Sequence, residues 1–137
     1  MSIDKRVTLN AIPTPFRSAE IKTIGVFGDW HKNLKFALKQ LRKYGEETDV
    51  LVHVGDFGLW PEKVSTKDHQ GYLSQLEQEL ARLGKRLYFI DGNHEDFNLL
   101  YSYPVGKDGF RQITPHIFHI PRGHAWQWGG KILMGLG

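Results

Sequence analysis

The chain has 137 residues, of which 40% are apolar and 24% charged, the balance of one soluble globular domain. It contains no cysteine, which excludes a disulfide framework and any thiolate zinc site, fits a reducing compartment, and leaves His, Asp, Glu and Asn as metal ligands. The net charge of +3 is a mild basic bias, and neither a transmembrane stretch nor a signal-peptide centre stands in the sequence, so a cytoplasmic location is expected.

Residues 1–20 carry Pro13 and Pro15 without sustained periodicity and are expected to form an amino-terminal arm, with one domain over 21–137. From residue 21 a pattern recurs three times: an apolar run ends at a glycine followed or preceded by Asp or Asn. The first run, Ile21 to Phe27, leads into Gly28-Asp29-Trp30-His31. Leu34, Leu38 and Leu41 then predict an amphipathic helix, with Asn33 as its N-cap and Gly45 as its stop. The second run, Val50 to Val54, leads into Gly55-Asp56-Phe57-Gly58. Leu73, Leu76, Leu80 and Leu83 predict the next helix, closed by Gly84. The third run, Leu87 to Ile90, leads into Asp91-Gly92-Asn93-His94-Glu95. Strands separated by helices of this length predict βαβ units around a parallel sheet, an α/β fold. Beyond residue 103 the style changes to short strand candidates: His116 to Ile120, Ala125 to Trp128 and Lys131 to Met134, separated by Pro-Arg-Gly and Gly-Gly turns.

In an open α/β sheet, ligands collect outside the carboxyl ends of the strands. Asp29 with His31, Asp56, and Asn93 with His94 each follow a predicted strand directly, so three distant segments deliver oxygen and imidazole donors to one rim. Each element alone has a plainer explanation, since a single Gly-Asp after a strand is usually a turn with an Asx hydrogen bond. Their conjunction in this order points to a metal site. The donor set suits Mn, Fe, Zn or Mg without choosing among them.

These three blocks resemble the first signature blocks of the calcineurin-like metallophosphoesterases, strongly over about residues 21–96 and weakly beyond. The stretch His53 to Trp60 is most similar to that of small bacterial and phage members. The resemblance implies the βαβαβ half of an α/β/β/α sandwich, followed by short strands of the second sheet. It implies two divalent ions: Asp29 and His31 on the first, Asp56 bridging, Asn93 on the second, and His94 meeting the substrate as the catalytic group. The implied reaction is hydrolysis of a phosphomonoester or phosphodiester, in a small molecule or a nucleic acid, by a hydroxide activated between the ions.

The sequence departs from the family pattern at three places. Lys32 follows His31 where the family often has glycine, and it would attract a phosphate. Leu59 stands where many members have an Asp supporting the catalytic His, leaving Asp91, Glu95 and Asp96 as the nearest substitutes. The family's later His and its Gly-His-x-His block have no counterpart here. His124 is the nearest to a later His but follows a turn and is expected to be structural. The expectation is therefore an amino-terminal portion of such an enzyme, weak or inactive, holding one ion or none, and self-associating through an exposed sheet edge. The other reading is a non-catalytic metal- or nucleic-acid-binding fragment, using Trp126, Trp128, Arg122 and Lys131 as an aromatic and basic surface. Alternation puts both tryptophans on one strand face, which favours a core role for them.

Overall fold

The computed structural model describes residues 21–59, 66–93 and 95–136, with 66–70 by backbone only. The expected arm over 1–20, Trp60 and His94 lie outside the described residues. In chain order the elements are β1 (Ile24–Phe27), α1 (Leu34–Tyr44), β2 (Val50–His53), α2 (Thr66–Leu83), β3 (Leu87–Phe89), α3 (Phe97–Ser102), β4 (Arg111–Thr114), β5 (Ile117–His119), β6 (Ala125–Trp128) and β7 (Lys131–Met134).

β1, β2, β3 and β5 pair in parallel, in that order across the sheet, and β4 adds antiparallel to β5 at the far edge. β6 and β7 form a separate antiparallel hairpin. The α/β expectation is thus met, with the β6–β7 hairpin as the second sheet. The strand expected at His116 to Ile120 joins the first sheet instead, in register with β3.

Side-chain alternation along the strands builds two cores. Leu51, Leu87, Phe89 and Ile117 point to one face, where Ala37 and Leu41 of α1 and Leu76 and Leu80 of α2 cover them. Val50, Val52, Tyr88 and Phe118 point to the other, where Trp126 and Trp128 of the hairpin cover them. Burying each such side chain contributes about 1.5–3 kcal/mol. Both tryptophans are nearly inaccessible, at 3% and 2% exposure, so they offer no stacking surface for a nucleic acid. The hairpin covers the middle of its sheet face and leaves Val26 of β1 exposed, together with Ile132 and Met134 on its own outer side.

α1 begins where the sequence places it: the Asn33 side chain accepts from the N–H of Phe36 at 3.1 Å, satisfying one of the unpaired donors of the first turn. Two elements were not foreseen. α3 spans six residues, too short for periodicity, although Asp96 caps it by accepting from the N–H of Leu99 at 2.8 Å. β4 reads Arg-Gln-Ile-Thr and lies at a sheet edge with a register irregularity, so its apolar alternation is weak. Among the described residues, no helix is long and apolar enough to cross a membrane.

The two long helices are joined by a buried carboxylate. Glu79 of α2, 7% exposed, accepts from Arg42 Nε of α1 at 3.2 Å and from Arg82 on its own helix. Burial pushes the Glu79 carboxyl up, but the two guanidinium groups outweigh this and hold it below its ordinary value. A depressed carboxyl contributes stability above its unfolded pKa and loses it as pH falls through the folded one. Glu79→Gln should therefore lower stability by about 1–2 kcal/mol at neutral pH and flatten the loss of stability below about pH 5, measured by denaturant titration across pH.

Candidate metal centre

Because β1, β2 and β3 are parallel neighbours, their carboxyl ends stand side by side, about 4.8 Å apart from strand to strand. Asp29 and His31 leave β1, Asp56 leaves β2, and Asn93 leaves β3 from this one rim. The loops then bond to one another. The N–H of Asp29 donates to Gly55 O at 3.1 Å, that of His31 to Asp56 O at 2.8 Å, and that of Lys32 to Phe57 O at 3.4 Å. The N–H of Trp30 donates to Nε2 of His53 at 3.3 Å.

The result is a donor cluster. His31 Nε2 stands 3.7 Å from Asp29 Oδ1 and 3.5 Å from Asp56 Oδ2, and ligand atoms of all three residues lie within 4.8 Å of one another. Two donors bound to one transition-metal ion at about 2.1 Å are at most about 4.2 Å apart, so the His31 pairs already have the spacing of shared ligands. Asp29 is 82% exposed at its side chain and Asp56 15%, which makes a site open on one side and walled on the other.

Backbone strain concentrates here. Asp29, His31, Lys32 and Asp56 all adopt positive φ, between 48° and 61°, and no other non-glycine residue does so among the described residues. Such conformations cost about 1–3 kcal/mol each for ordinary side chains and persist only where surrounding bonds impose them. Gly92 is equally constrained: a Cβ there would collide with the backbone N and carboxylate of Asp56, so only glycine lets the β3 loop lie against the β2 loop.

Glu95 imposes the arrangement. It is 6% exposed, its Oε2 accepts from the N–H of Phe57 at 2.9 Å and of Gly92 at 3.1 Å, and its Oε1 accepts from Gly58 at 2.9 Å and Leu59 at 3.1 Å. One carboxylate thus binds the loop carrying Asp56 to the loop carrying Asn93. Asp96 N–H donates to Leu59 O at 2.7 Å, and the Tyr72 hydroxyl donates to Phe57 O at 2.5 Å. Burial pushes the Tyr72 hydroxyl up, so it remains a donor at any physiological pH.

The remaining sequence candidates have distinct places. Asn93 is exposed and follows Gly92 in the turn after β3. The three carboxylates nearest His94 in sequence have these partners: Glu95 the four N–H groups, Asp96 the first turn of α3 as its cap, and Asp91 both His119 and Arg122. His124 packs edge-on to Phe110 and stacks on Trp126, with the second core, and joins no group of three metal-type ligands among the described residues.

Sequence reasoning did not find the buried chain behind the rim. His119, 1% exposed, meets Asp91 through Nε2 at 2.7 Å and the Arg111 guanidinium through Nδ1 at 3.4 Å. Arg122 Nε donates to the second Asp91 oxygen at 2.9 Å. Burial raises the Asp91 carboxyl, but the hydrogen bonds from His119 and Arg122 win and hold it below its ordinary value. These partners meet only across β3 and β5, up to 31 residues apart, so no local pattern announces them.

Two outcomes are expected. Glu95→Gln replaces two of the four acceptor positions by N–H groups facing N–H groups and should cost about 1.5–3 kcal/mol of stability, with weaker Mn²⁺ binding by calorimetry. His53 is wholly buried, accepts through Nε2, and is pushed down to about 4 by burial, with Asp56 and His31 as lesser influences. Its proton therefore sits on Nδ1, and stability should fall by about 1.4 kcal/mol per pH unit from about pH 6.5 down to about 4, the range in which the unfolded imidazole is charged and the folded one is not. Nitrogen-15 NMR of the ring reads both the tautomer and the titration.

No curated protein matches the chain. A family model described as calcineurin-like phosphoesterase matches residues 22–133, a span that holds the whole donor cluster, the Glu95 tie, the five-stranded sheet and all of the hairpin but Met134. The chain belongs to the calcineurin-like phosphoesterases, a family of metal-dependent hydrolases of phosphoesters.

Proposed function

We propose that this chain binds divalent cations at the rim of its parallel sheet and hydrolyses a phosphate ester there. The observation that carries the reading is the Asp29–His31–Asp56 cluster, held in strained backbone at the carboxyl ends of two adjacent strands. Two carboxylates and an imidazole, without sulfur, suit Mn, Fe, Zn or Mg. Asp29 and His31 would hold one ion, Asp56 would bridge, and Asn93 would serve a second. Bound there, such ions supply Lewis-acid stabilisation of phosphoryl charge and acidify water for in-line attack.

The chain's own residues do the rest. The three interloop bonds from β1 to β2 fix the direction of the Asp29, His31 and Asp56 side chains before any ion arrives. The His53 ring, as a neutral acceptor, holds the peptide between Asp29 and His31 without adding charge beside the site. Lys32, next to His31 and half-exposed, adds positive potential where a phosphate approaches. His94 follows Asn93 in sequence, and an imidazolium there would stabilise charge on the phosphoryl group or protonate the leaving alkoxide.

Metal-free protein titrated with Mn²⁺, Zn²⁺ and Mg²⁺ should show saturable binding. Turnover of p-nitrophenyl phosphate or bis(p-nitrophenyl) phosphate should appear with the metal and vanish with chelation. Asp56→Asn should lower that turnover by about 100-fold or more. Absence of both metal binding and metal-dependent turnover would overturn the reading.

A further inference from the structure

α1 departs directly from the metal loop, and its exposed side is basic. Between Trp30 and Gly45 the sequence holds five Lys or Arg residues and no Asp or Glu. Lys35, Lys39 and Lys43 stand at i, i+4 and i+8, on one exposed helix face that climbs about 12 Å away from the rim. Lys32 heads the same row beside His31. Arg42 is turned aside to Glu79, and Glu46 and Glu47 follow only after the helix ends.

Helix stability does not account for this row. The amino-terminal end of a helix carries partial positive charge and favours acidic side chains, yet the first turn of α1 contains none and places Lys35 there. Lys43 suits the carboxyl-terminal end; Lys35 opposes its own end. Within the row stands Phe36, 43% exposed, three residues before Lys39 and therefore beside it on the helix surface. A large aromatic ring left in water among lysines is the combination that holds single-stranded nucleic acid, with phosphates on the ammonium groups and a base on the ring.

We propose that the outer face of α1 binds a single-stranded nucleic acid and leads its phosphodiester backbone to the metal centre. The proposal rests on the phosphoesterase reading for the fate of the strand, and on Lys35, Lys39, Lys43 and Phe36 for its binding. A duplex would meet the lysines but would hold its bases stacked away from Phe36, so the ring favours single strands.

The test uses a fluorescent 12-nucleotide oligothymidylate, bound at several salt concentrations in the presence of a chelator so that nothing is cleaved. The variant K35Q/K39Q/K43Q should lose affinity about 100-fold at 0.1 M salt, and its log–log salt slope should be shallower by about 2, three phosphate contacts at about 0.7 each. Phe36→Ala should weaken binding about fivefold or more with the slope unchanged. The control variant K22Q/K107Q/K131Q removes the same charge from three exposed lysines outside α1 and should bind like the parent. Equal losses in the two triple variants would overturn the proposal, as would preference for a duplex or equal binding of polyglutamate. Hydrolysis of bis(p-nitrophenyl) phosphate by the same preparations separates the two readings. Turnover without row-dependent oligonucleotide binding overturns the nucleic-acid face alone. Row-dependent binding with neither metal binding nor turnover of either p-nitrophenyl ester supports that face and overturns the phosphoesterase reading.

Discussion

The site depends on one buried carboxylate. Glu95 collects four backbone N–H groups from two loops that are more than 30 residues apart in sequence. A buried carboxylate is costly unless its lone pairs are filled, and a buried N–H is costly unless it has an acceptor. Here each requirement answers the other. The carbonyl side of the same loop is equally occupied, by Asp29, His31 and Lys32 from the β1 loop, by Tyr72 from α2 and by the N–H of Asp96. The segment after β2 thus has its polar backbone claimed by neighbours from three other parts of the chain, and Asp56 is left with little freedom.

That closure explains how four non-glycine residues can hold positive φ at the metal rim. The strain is local, while the bonds that oppose its release are distributed over the loops of β1, β2 and β3. Pre-organisation of this kind suits metal ligands, which must converge on one point although their mutual repulsion would part them. The same logic extends backwards from the rim. His53 beneath Trp30, and Asp91 with His119 and Arg122 behind the β3 loop, are polar groups placed at strand ends where each meets a partner on a neighbouring strand or loop.

The sheet supplies the frame for these bonds through its two unlike faces. One is packed under the long helices and the other under the tryptophan-bearing hairpin, so β2, β3 and β5 are buried on both sides. Their positions cannot drift, and neither can the loops they carry. β1, at the edge, is held less by burial than by its ladder to β2 and by the bonds between the loops that follow. α1 connects this edge to the site, with its apolar side on the core and its lysines outward.

Much of this was legible in the linear chain. The parallel β1–β2–β3 core, the Asn33 cap, the core role of Trp126 and Trp128, and the convergence of Asp29, His31 and Asp56 all follow from periodicity and from glycine-flanked acidic residues at strand ends. These features are local, and local spacing encodes them. What escaped has no local signature. The placement of β5 beside β3 is decided by which strand can cover the exposed edge of the sheet. The work of Glu95 and Asp91 is decided by which buried donors happen to face them once the loops are closed. Sequence shows their proximity to His94 along the chain and hides the partners that arrive from elsewhere. The sequence by itself determined which residues can bind a metal and on which strand ends they sit. Only the tertiary structure decided what holds them there, because the satisfaction of buried polar groups is a property of the closed fold and of no single segment.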